Sequence, residues 1–243
     1  MTEGSALTHF HARITQKSAD VNAAPVLIVA FGDSVTQGFT SHATIDHEHV
    51  YHNRFKRALE MAYPLATFSV INAGVAGDAA AKAISRLERD VLRHGPDLVI
   101  VGFGLNEAAS GSDDTKDFAV ALETIILRIR ERTQANVVLL TPNFMLEALN
   151  ENIHPNEAFY AAGFLPVQRG GVVAAHAQAI RLVGTRLEVP VVDVYAAWEK
   201  ASNGGINTDD WLANGLNHPT AEAHAIPARL LTEMVVGSDS KDV

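Results

Sequence analysis

Four residues that can act together on an ester bond occur in order along this chain. Ser34 lies in Gly-Asp-Ser and Gly77 in Ala-Gly-Asp, while Asn106 lies in Leu-Asn-Glu and His218 in Asn-His-Pro. A serine hydroxyl attacks a carbonyl carbon once a histidine takes its proton. A glycine N–H and an asparagine amide can hold the negative charge that then develops on the carbonyl oxygen. These residue types therefore point to acyl transfer.

Each of these segments also has an interpretation without chemistry. A serine after Gly-Asp is a common helix cap, and glycine and asparagine are common turn formers. What favours a shared site is their combination, because the first three each follow a buried apolar run and a His-Pro follows near the C-terminus.

Five short runs rich in Val, Ile and Leu predict the strands that position these residues. The runs are continuous, which is typical of parallel strands buried on both faces, and segments with helical spacing lie between them. We predict a three-layer α/β/α sandwich with right-handed connections and a site at the carboxyl ends of the strands. The predicted strands are residues 25–31, 67–72, 97–103, 136–141 and 189–194.

The order of the four segments resembles the blocks of the SGNH/GDSL hydrolase family, which centre on serine, glycine, asparagine and histidine. The resemblance extends from about residue 26 to the C-terminal helix. It implies a flavodoxin-like fold with a five-stranded parallel sheet, and ester hydrolysis through an acyl-enzyme without metal or organic cofactor. It also implies Ser34 as nucleophile, His218 as base, and an oxyanion hole formed by Ser34, Gly77 and Asn106.

The last block departs from the family pattern, because Asn214 stands where relatives typically carry the aspartate of the triad. An asparagine can accept the imidazole N–H through its carbonyl oxygen, but it adds no charge to stabilise the imidazolium. Asp209 and Asp210 lie a few residues upstream and are candidates to replace the acid if their loop folds back. A smaller departure is Glu107, where relatives carry aspartate, and we expect it to be structural.

Four further residues are candidates for the substrate pocket. Asp33 precedes the serine, and Tyr51 and His52 belong to a stretch that lies beside the serine in relatives. His154 lies in Glu-Asn-Ile-His-Pro-Asn, which imitates the last block. Because this segment follows the fourth predicted strand and not the fifth, His218 is favoured as the base and His154 is a candidate to line the cleft.

A run of histidines and acids is an alternative source of chemistry. Two pairs in it have the i, i+4 spacing of helical metal ligands, but no clear third ligand accompanies them, so a solvated helix start is favoured. The run holds His42, Asp46, His47, Glu48, His49 and His52.

The composition limits the domain number and the partners. With 243 residues, 47% of them apolar, we expect one domain over residues 23–243, an N-terminal extension over 1–22, and an excursion over the site at 143–171. A net charge of −9 with scattered basic residues argues against nucleic acid and anionic membranes as partners. The absence of cysteine excludes thiolate catalysis.

Because no apolar signal segment is present, we expect a cytoplasmic location.

We therefore predict a serine-dependent ester hydrolase that acts on a small-molecule or carbohydrate ester. The family resemblance suggests a short acyl group such as acetyl. Two alternatives stay open: an SGNH-fold binding protein that is weakened or inert because it lacks the triad acid, and a metal-dependent hydrolase that uses the cluster between His42 and His52. The sequence leaves the oligomeric state open.

Overall fold

The computed structural model describes residues 7–41 and 44–237 of the chain. Its centre is a sheet of five parallel strands in the order β2-β1-β3-β4-β5. This arrangement, with helices on both faces of the sheet, confirms the predicted α/β/α sandwich. The strands are β1 (Val26–Gly32), β2 (Phe68–Gly74), β3 (Leu98–Gly102), β4 (Asn136–Leu140) and β5 (Val191–Val192).

Helices enclose the sheet and bury two apolar clusters, one on each face. None of the helices in the described ranges is long and apolar enough to cross a lipid bilayer. The helices are α1 (Thr8–Ala19), α2 (Ser34–Gln37), α3 (Tyr51–Ala62), α4 (Ala80–Ala83), α5 (Leu87–Asp90), α6 (Leu105–Ala109), α7 (Lys116–Arg132), α8 (Ala158–Arg169), α9 (Val172–Leu187), α10 (Val194–Asn203) and α11 (Ala225–Val236), with 3₁₀ turns at Ile84–Arg86, Leu92–His94 and Thr208–Trp211.

Alternate residues of each central strand face opposite clusters, which explains the continuous apolar runs. Ile28 and Ala30 of β1 lie in one cluster, whereas Val29 and Phe31 lie in the other. A strand buried on both faces needs no polar residue in its interior. The fifth strand is shorter than predicted, because the Asp193 side chain already caps α10 by accepting the Ala196 N–H.

Three strands end at the same level of the sheet, and glycine makes this possible. Gly32 of β1 is in register with both Gly74 of β2 and Gly102 of β3. A Cβ atom at Gly32 would collide with the Thr36 side chain, and one at Gly74 would collide with the backbone of Gln37. Helix α2 can therefore begin directly above the strand ends.

The N-terminal segment is more integrated than the sequence suggested. Residues 1–22 were expected to form an extension, but α1 buries Phe10 and Ile14 in the main cluster. The Phe10 N–H also donates to Asn136 Oδ1 at 2.8 Å, at the start of β4. Residues 1–6 lie outside the described ranges.

Candidate active site

Ser34 lies at the first position of α2, directly after β1. The Asp33 carboxylate caps this helix by accepting the Val35 N–H at 2.9 Å. Ser34 is 5% exposed, so only the pocket side of the residue is open. The backbone of the strand end therefore fixes where its hydroxyl lies.

The His218 imidazole faces this hydroxyl across the pocket. Its Nε2 lies 3.0 Å from Ser34 Oγ, which is hydrogen-bond distance. The residues are 184 positions apart, so only the tertiary fold brings them together. Both line a pocket of about 250 Å³, to which Gly77 and Asn106 also contribute. The structure thus gathers the four residues from the four sequence segments into one pocket.

Two backbone N–H groups in this pocket are available to a ligand. Within the described residues, neither the Ser34 N–H nor the Gly77 N–H donates to another group. Gly77 has φ +69°, and a Cβ atom there would meet no atom within 4 Å, so the space beside it is open. Such donors suit an oxyanion.

The Asn106 side chain is less free than its expected role requires. Its Nδ2 donates to the backbone oxygen of Asp78 at 3.0 Å, and Asp33 Oδ2 lies 3.5 Å away. Because a contact of 3.5 Å is at the limit of hydrogen bonding, the second N–H has no strong partner and can donate to an oxyanion in the pocket.

Partly buried charged groups hold the loops that carry these donors. Arg86 donates to the strand-end carbonyls of Gly32 and Ala73 at 2.9 and 2.7 Å, and to Asp78 Oδ2 at 2.6 Å. Glu107 accepts the N–H groups of Gly104 and Ala80, which gives it a structural role. Sequence reasoning missed Arg86, because nothing in the order of residues shows that it reaches three loops.

Asn214 lies beside the other nitrogen of His218, but in an orientation that the sequence did not predict. Its Oδ1 accepts the backbone N–H groups of Leu216, Asn217 and His218, each at 3.0 Å. Its Nδ2 donates to Asn217 Oδ1 and lies 3.1 Å from His218 Nδ1. The expectation that its carbonyl oxygen accepts the imidazole N–H is therefore wrong.

This orientation determines which tautomer His218 adopts. An amide NH₂ is a donor only, so the His218 Nδ1 beside it must accept, and the proton of the neutral ring lies on Nε2. Flipping the Asn214 amide would turn its NH₂ toward three backbone donors, which disfavours the opposite assignment. The His218 Nε2–H then lies on the side of the ring that faces Ser34 Oγ. In this state the ring cannot take the serine proton.

Burial lowers the pKa of His218 to about 4, while the nearby charge of Glu157 and a hydrogen bond to the Thr40 backbone oppose this shift. The imidazole is therefore neutral at neutral pH, as a general base must be, but it is a weak base. An aspartate at position 214 would favour the charged form and raise this pKa.

The two upstream aspartates do not replace the missing acid. Asp209 accepts the backbone N–H groups of Glu147 and Ala148 at 2.8 and 2.9 Å. Asp210 accepts the Asn207 side-chain amide at 2.9 Å and is exposed. Both carboxylates are thus engaged in loop structure and not with His218.

The predicted pocket residues lie elsewhere. Asp33 and Tyr51 line a separate small pocket of about 40 Å³, and burial raises the pKa of Asp33 to about 7. His52 is buried with its Nε2 3.1 Å from the Thr36 carbonyl oxygen. His154 accepts the Asn156 N–H in a turn and does not line the catalytic pocket. These four residues were expected to line the substrate pocket, but the structure does not place them among the residues that line the pocket of Ser34.

The alternative metal cluster is dispersed. Asp46 accepts the N–H groups of Glu48 and His49 and lies 2.9 Å from His49 Nδ1, while His52 is turned into the interior. His42 lies outside the described residues. Among the residues that the structure describes, no three His, Asp or Glu side chains are grouped so that they could hold a metal ion.

The excursion over the site supplies pocket residues that the sequence did not single out. Glu157 precedes α8, Tyr160 and Phe164 belong to it, and all three line the same pocket as Ser34. Phe39 packs against His218 with ring centroids 5.1 Å apart. Glycines and prolines marked the excursion, but no spacing in it indicated which side chains face the serine.

The chain belongs to the GDSL-like lipase/acylhydrolase family, whose family model matches residues 30–226. This membership makes it an esterase of the SGNH type. It is similar to an uncharacterized lipoprotein, YqeF, of Bacillus subtilis (strain 168), with 26% identity over 85% of this chain and 86% of the relative.

Two solved structures show the same fold. The lipase/acylhydrolase of Enterococcus faecalis is 27% identical, with a TM-score of 0.66 over 87% of this chain and 96% of its own. Axe2, an acetylxylan esterase from Geobacillus stearothermophilus, is 18% identical, with a TM-score of 0.66 over 87% and 94%. Its catalytic variants replace a serine, a histidine and an aspartate with alanine.

Proposed function

We propose that this chain hydrolyses carboxylic esters through an acyl-enzyme on Ser34, with His218 as the base. The observation that carries the proposal is the 3.0 Å contact between Ser34 Oγ and His218 Nε2. That contact lies in a pocket with two unused backbone N–H donors, so the nucleophile, the base and the oxyanion site converge on one point.

In the proposed reaction, Oγ of Ser34 attacks the ester carbonyl carbon as its proton passes to Nε2 of His218. The oxyanion is held by the N–H groups of Ser34 and Gly77 and by the Asn106 amide. The imidazolium then gives its proton to the departing alkoxide, and an acyl-serine remains. Water attacks this ester with the same histidine as base, which releases the acid and restores the serine.

The first step needs the His218 tautomer that Asn214 disfavours. To accept the serine proton, Nε2 must be bare and Nδ1 must carry the hydrogen, which then faces the Asn214 amide. We therefore infer a slow hydrolase, because each turnover requires either this unfavourable tautomer or a displaced Asn214 side chain.

The substrate we propose is an acetyl ester of a carbohydrate. The pocket is small, about 250 Å³, and its apolar side chains are Phe39, Ala76, Leu216 and the rings of α8, which suits a short acyl group. Its amide and carboxylate groups suit hydroxylated alcohols. The similarity to an acetylxylan esterase supports the same class.

A second candidate follows from the Asn214 geometry alone. A site with its serine and oxyanion donors in place but its base in the wrong tautomer would bind esters and release them unchanged. Such a protein would retain the pocket and lack measurable turnover.

One assay separates the two. Turnover of p-nitrophenyl acetate is measured with and without a chelator, and the protein is then treated with an organophosphonate and analysed by mass spectrometry. Hydrolysis that resists the chelator, with the label on Ser34, supports the serine hydrolase. No turnover and no label, in the presence of measurable ester binding, supports the binding protein. Activity lost with the chelator would overturn the serine mechanism.

A further inference from the structure

Helix α8 presents aromatic rings to solvent at the rim of the catalytic pocket. Tyr160 is 47% exposed, and its ring is nearly parallel to that of Phe164, with 15° between the planes and 5.7 Å between the centroids. Both residues line the pocket that holds Ser34 and His218. Because they are four residues apart, they lie on the same face of the helix.

The packing of α8 against the core does not explain why aromatic rings lie on its pocket-facing side. Helix α8 packs into the core through other residues, Ala161 and Val167, which are 3% and 4% exposed. Phe164 is only partly buried against that core. A half-exposed tyrosine ring beside a reactive serine leaves apolar surface in water, and such surface commonly marks a ligand contact.

We propose that Tyr160, supported by Phe164, is a stacking subsite for a sugar ring of the alcohol part of the substrate. This proposal rests on the proposed ester hydrolysis and specifies its substrate class. A pyranose ring has a flat face of C–H groups that packs on an aromatic ring, while its hydroxyl groups need polar partners. The pocket supplies these partners at the same rim, in Glu157 and Asn217.

A long acyl chain fits this rim less well. Such a chain is stabilised by an enclosed apolar slot, which removes it from water on all sides. Tyr160 is instead half-exposed, with its ring in contact with those of Phe159 and Phe164. The polar groups that line the pocket beside it include the carboxylate of Glu157 and the amides of Asn106 and Asn217. Burying an alkyl chain against these groups would leave polar atoms without water.

Kinetics with two esters of the same acid tests the subsite. The substrates are acetylated xylotriose and vinyl acetate, whose leaving group has no ring. For Tyr160→Ala we expect kcat/KM to fall about tenfold more on the xylotriose ester than on vinyl acetate, mainly through KM, which corresponds to about 1.4 kcal/mol. Tyr160→Phe should retain most of this discrimination. Leu127→Ala is the control, because Leu127 is 52% exposed, lies on α7 and does not line the pocket.

Two other outcomes would overturn the subsite. An equal loss on both acetates would mean that Tyr160 only supports the fold of the pocket. A selective loss on vinyl octanoate would mean that the ring contacts the acyl chain.

A binding arm keeps the test independent of turnover. Ser34→Ala is titrated calorimetrically with acetylated xylotriose, alone and combined with Tyr160→Ala. Binding that weakens about tenfold in the double variant supports the subsite even if the wild-type chain hydrolyses nothing, in which case only the proposed hydrolysis fails. Absence of binding at millimolar ester would overturn the subsite.

Discussion

The two halves of the candidate site are built from different kinds of structure. The serine half, with Ser34, Gly77 and Asn106, lies where three strands in register end, and its donors are largely backbone N–H groups. The histidine half lies on the loop between the 3₁₀ turn at Thr208–Trp211 and α11, and one side chain, Asn214, sets its state. Donors supplied by the backbone persist when side chains change. The tautomer of His218, in contrast, depends on whether residue 214 presents a nitrogen or an oxygen to the ring.

The serine half should fail completely when its nucleophile is removed. We expect Ser34→Ala to abolish ester hydrolysis, because no other hydroxyl among the described residues of the pocket contacts His218. The fold should persist, since the change removes one oxygen at a helix start. Turnover of p-nitrophenyl acetate and the melting temperature check this. Wild-type turnover in the folded variant would mean that Ser34 is not the nucleophile.

The histidine half should gain activity from one substitution. In Asn214→Asp one oxygen can keep the three backbone N–H groups while the other accepts Nδ1–H, so the base acquires the productive tautomer and a stabilising charge. The reverse change in a serine protease lowers kcat by about 10⁴, which sets the upper limit of the gain. The measurement is kcat/KM on vinyl acetate. Unchanged or lower activity in a folded variant would remove Asn214 from its proposed role.

The oxyanion hole should depend on its one side-chain donor. Asn106→Ala should lower kcat by roughly 10² to 10³ with little change in KM, because the amide binds charge that exists only in the transition state. Pre-steady-state kinetics should first establish that chemistry limits the rate. If kcat is then unaltered, the oxyanion is held by the backbone alone.

Replacing Asp209 distinguishes a structural role of this carboxylate from a catalytic one. Asp209→Ala should lower the free energy of unfolding by about 1 to 3 kcal/mol, because it leaves the N–H groups of Glu147 and Ala148 without their acceptor. Per folded molecule, kcat should stay near the wild-type value. Urea unfolding and active-site titration measure the two quantities separately. A collapse of kcat without loss of stability would show that the triad acid lies upstream after all.

The smallest effect is expected from the charge of Glu157, which raises the pKa of His218. In the wild-type chain, kcat/KM should fall as the pH drops through about 4, where the imidazole gains its proton. Glu157→Gln should shift this acidic fall in kcat/KM to lower pH. It should change kcat/KM in this pH range about two- to fivefold, which is the scale of a partly exposed charge pair. Asn214→Asp should shift the fall in kcat/KM to higher pH. If the fall occurs at the same pH in both variants, it reports the titration of a group other than His218.

The same contrast explains what the sequence could predict. The strands and the positions after them follow from apolar runs and glycines, so the order of residues was enough to place Ser34, Gly77 and Asn106 in one pocket. The orientation of the Asn214 amide could not be predicted, because it depends on three backbone N–H groups of a loop. Tyr160 reaches the pocket from an irregular excursion whose path no periodicity encodes.

The inward orientation of Asp33 and His52 was unpredictable for a related reason. Both lie close to the serine along the chain or in space, yet Asp33 caps α2 and His52 contacts the Thr36 carbonyl oxygen. Loop packing determines which side chains at a helix start face the pocket, and that packing cannot be predicted from the spacing of residues in the sequence.

In the proposed site, the Asn214 amide holds His218 with its proton on Nε2, facing Ser34. Nitrogen-15 NMR of histidine-labelled protein at neutral pH tests this directly, because the two ring nitrogens have different shifts when protonated and bare. His218→Gln identifies the resonances, and Asn214→Asp is the matched comparison. We expect a protonated Nε2 and a bare Nδ1 in the wild-type chain, with the opposite pattern in Asn214→Asp. A protonated Nδ1 in the wild-type chain would contradict it.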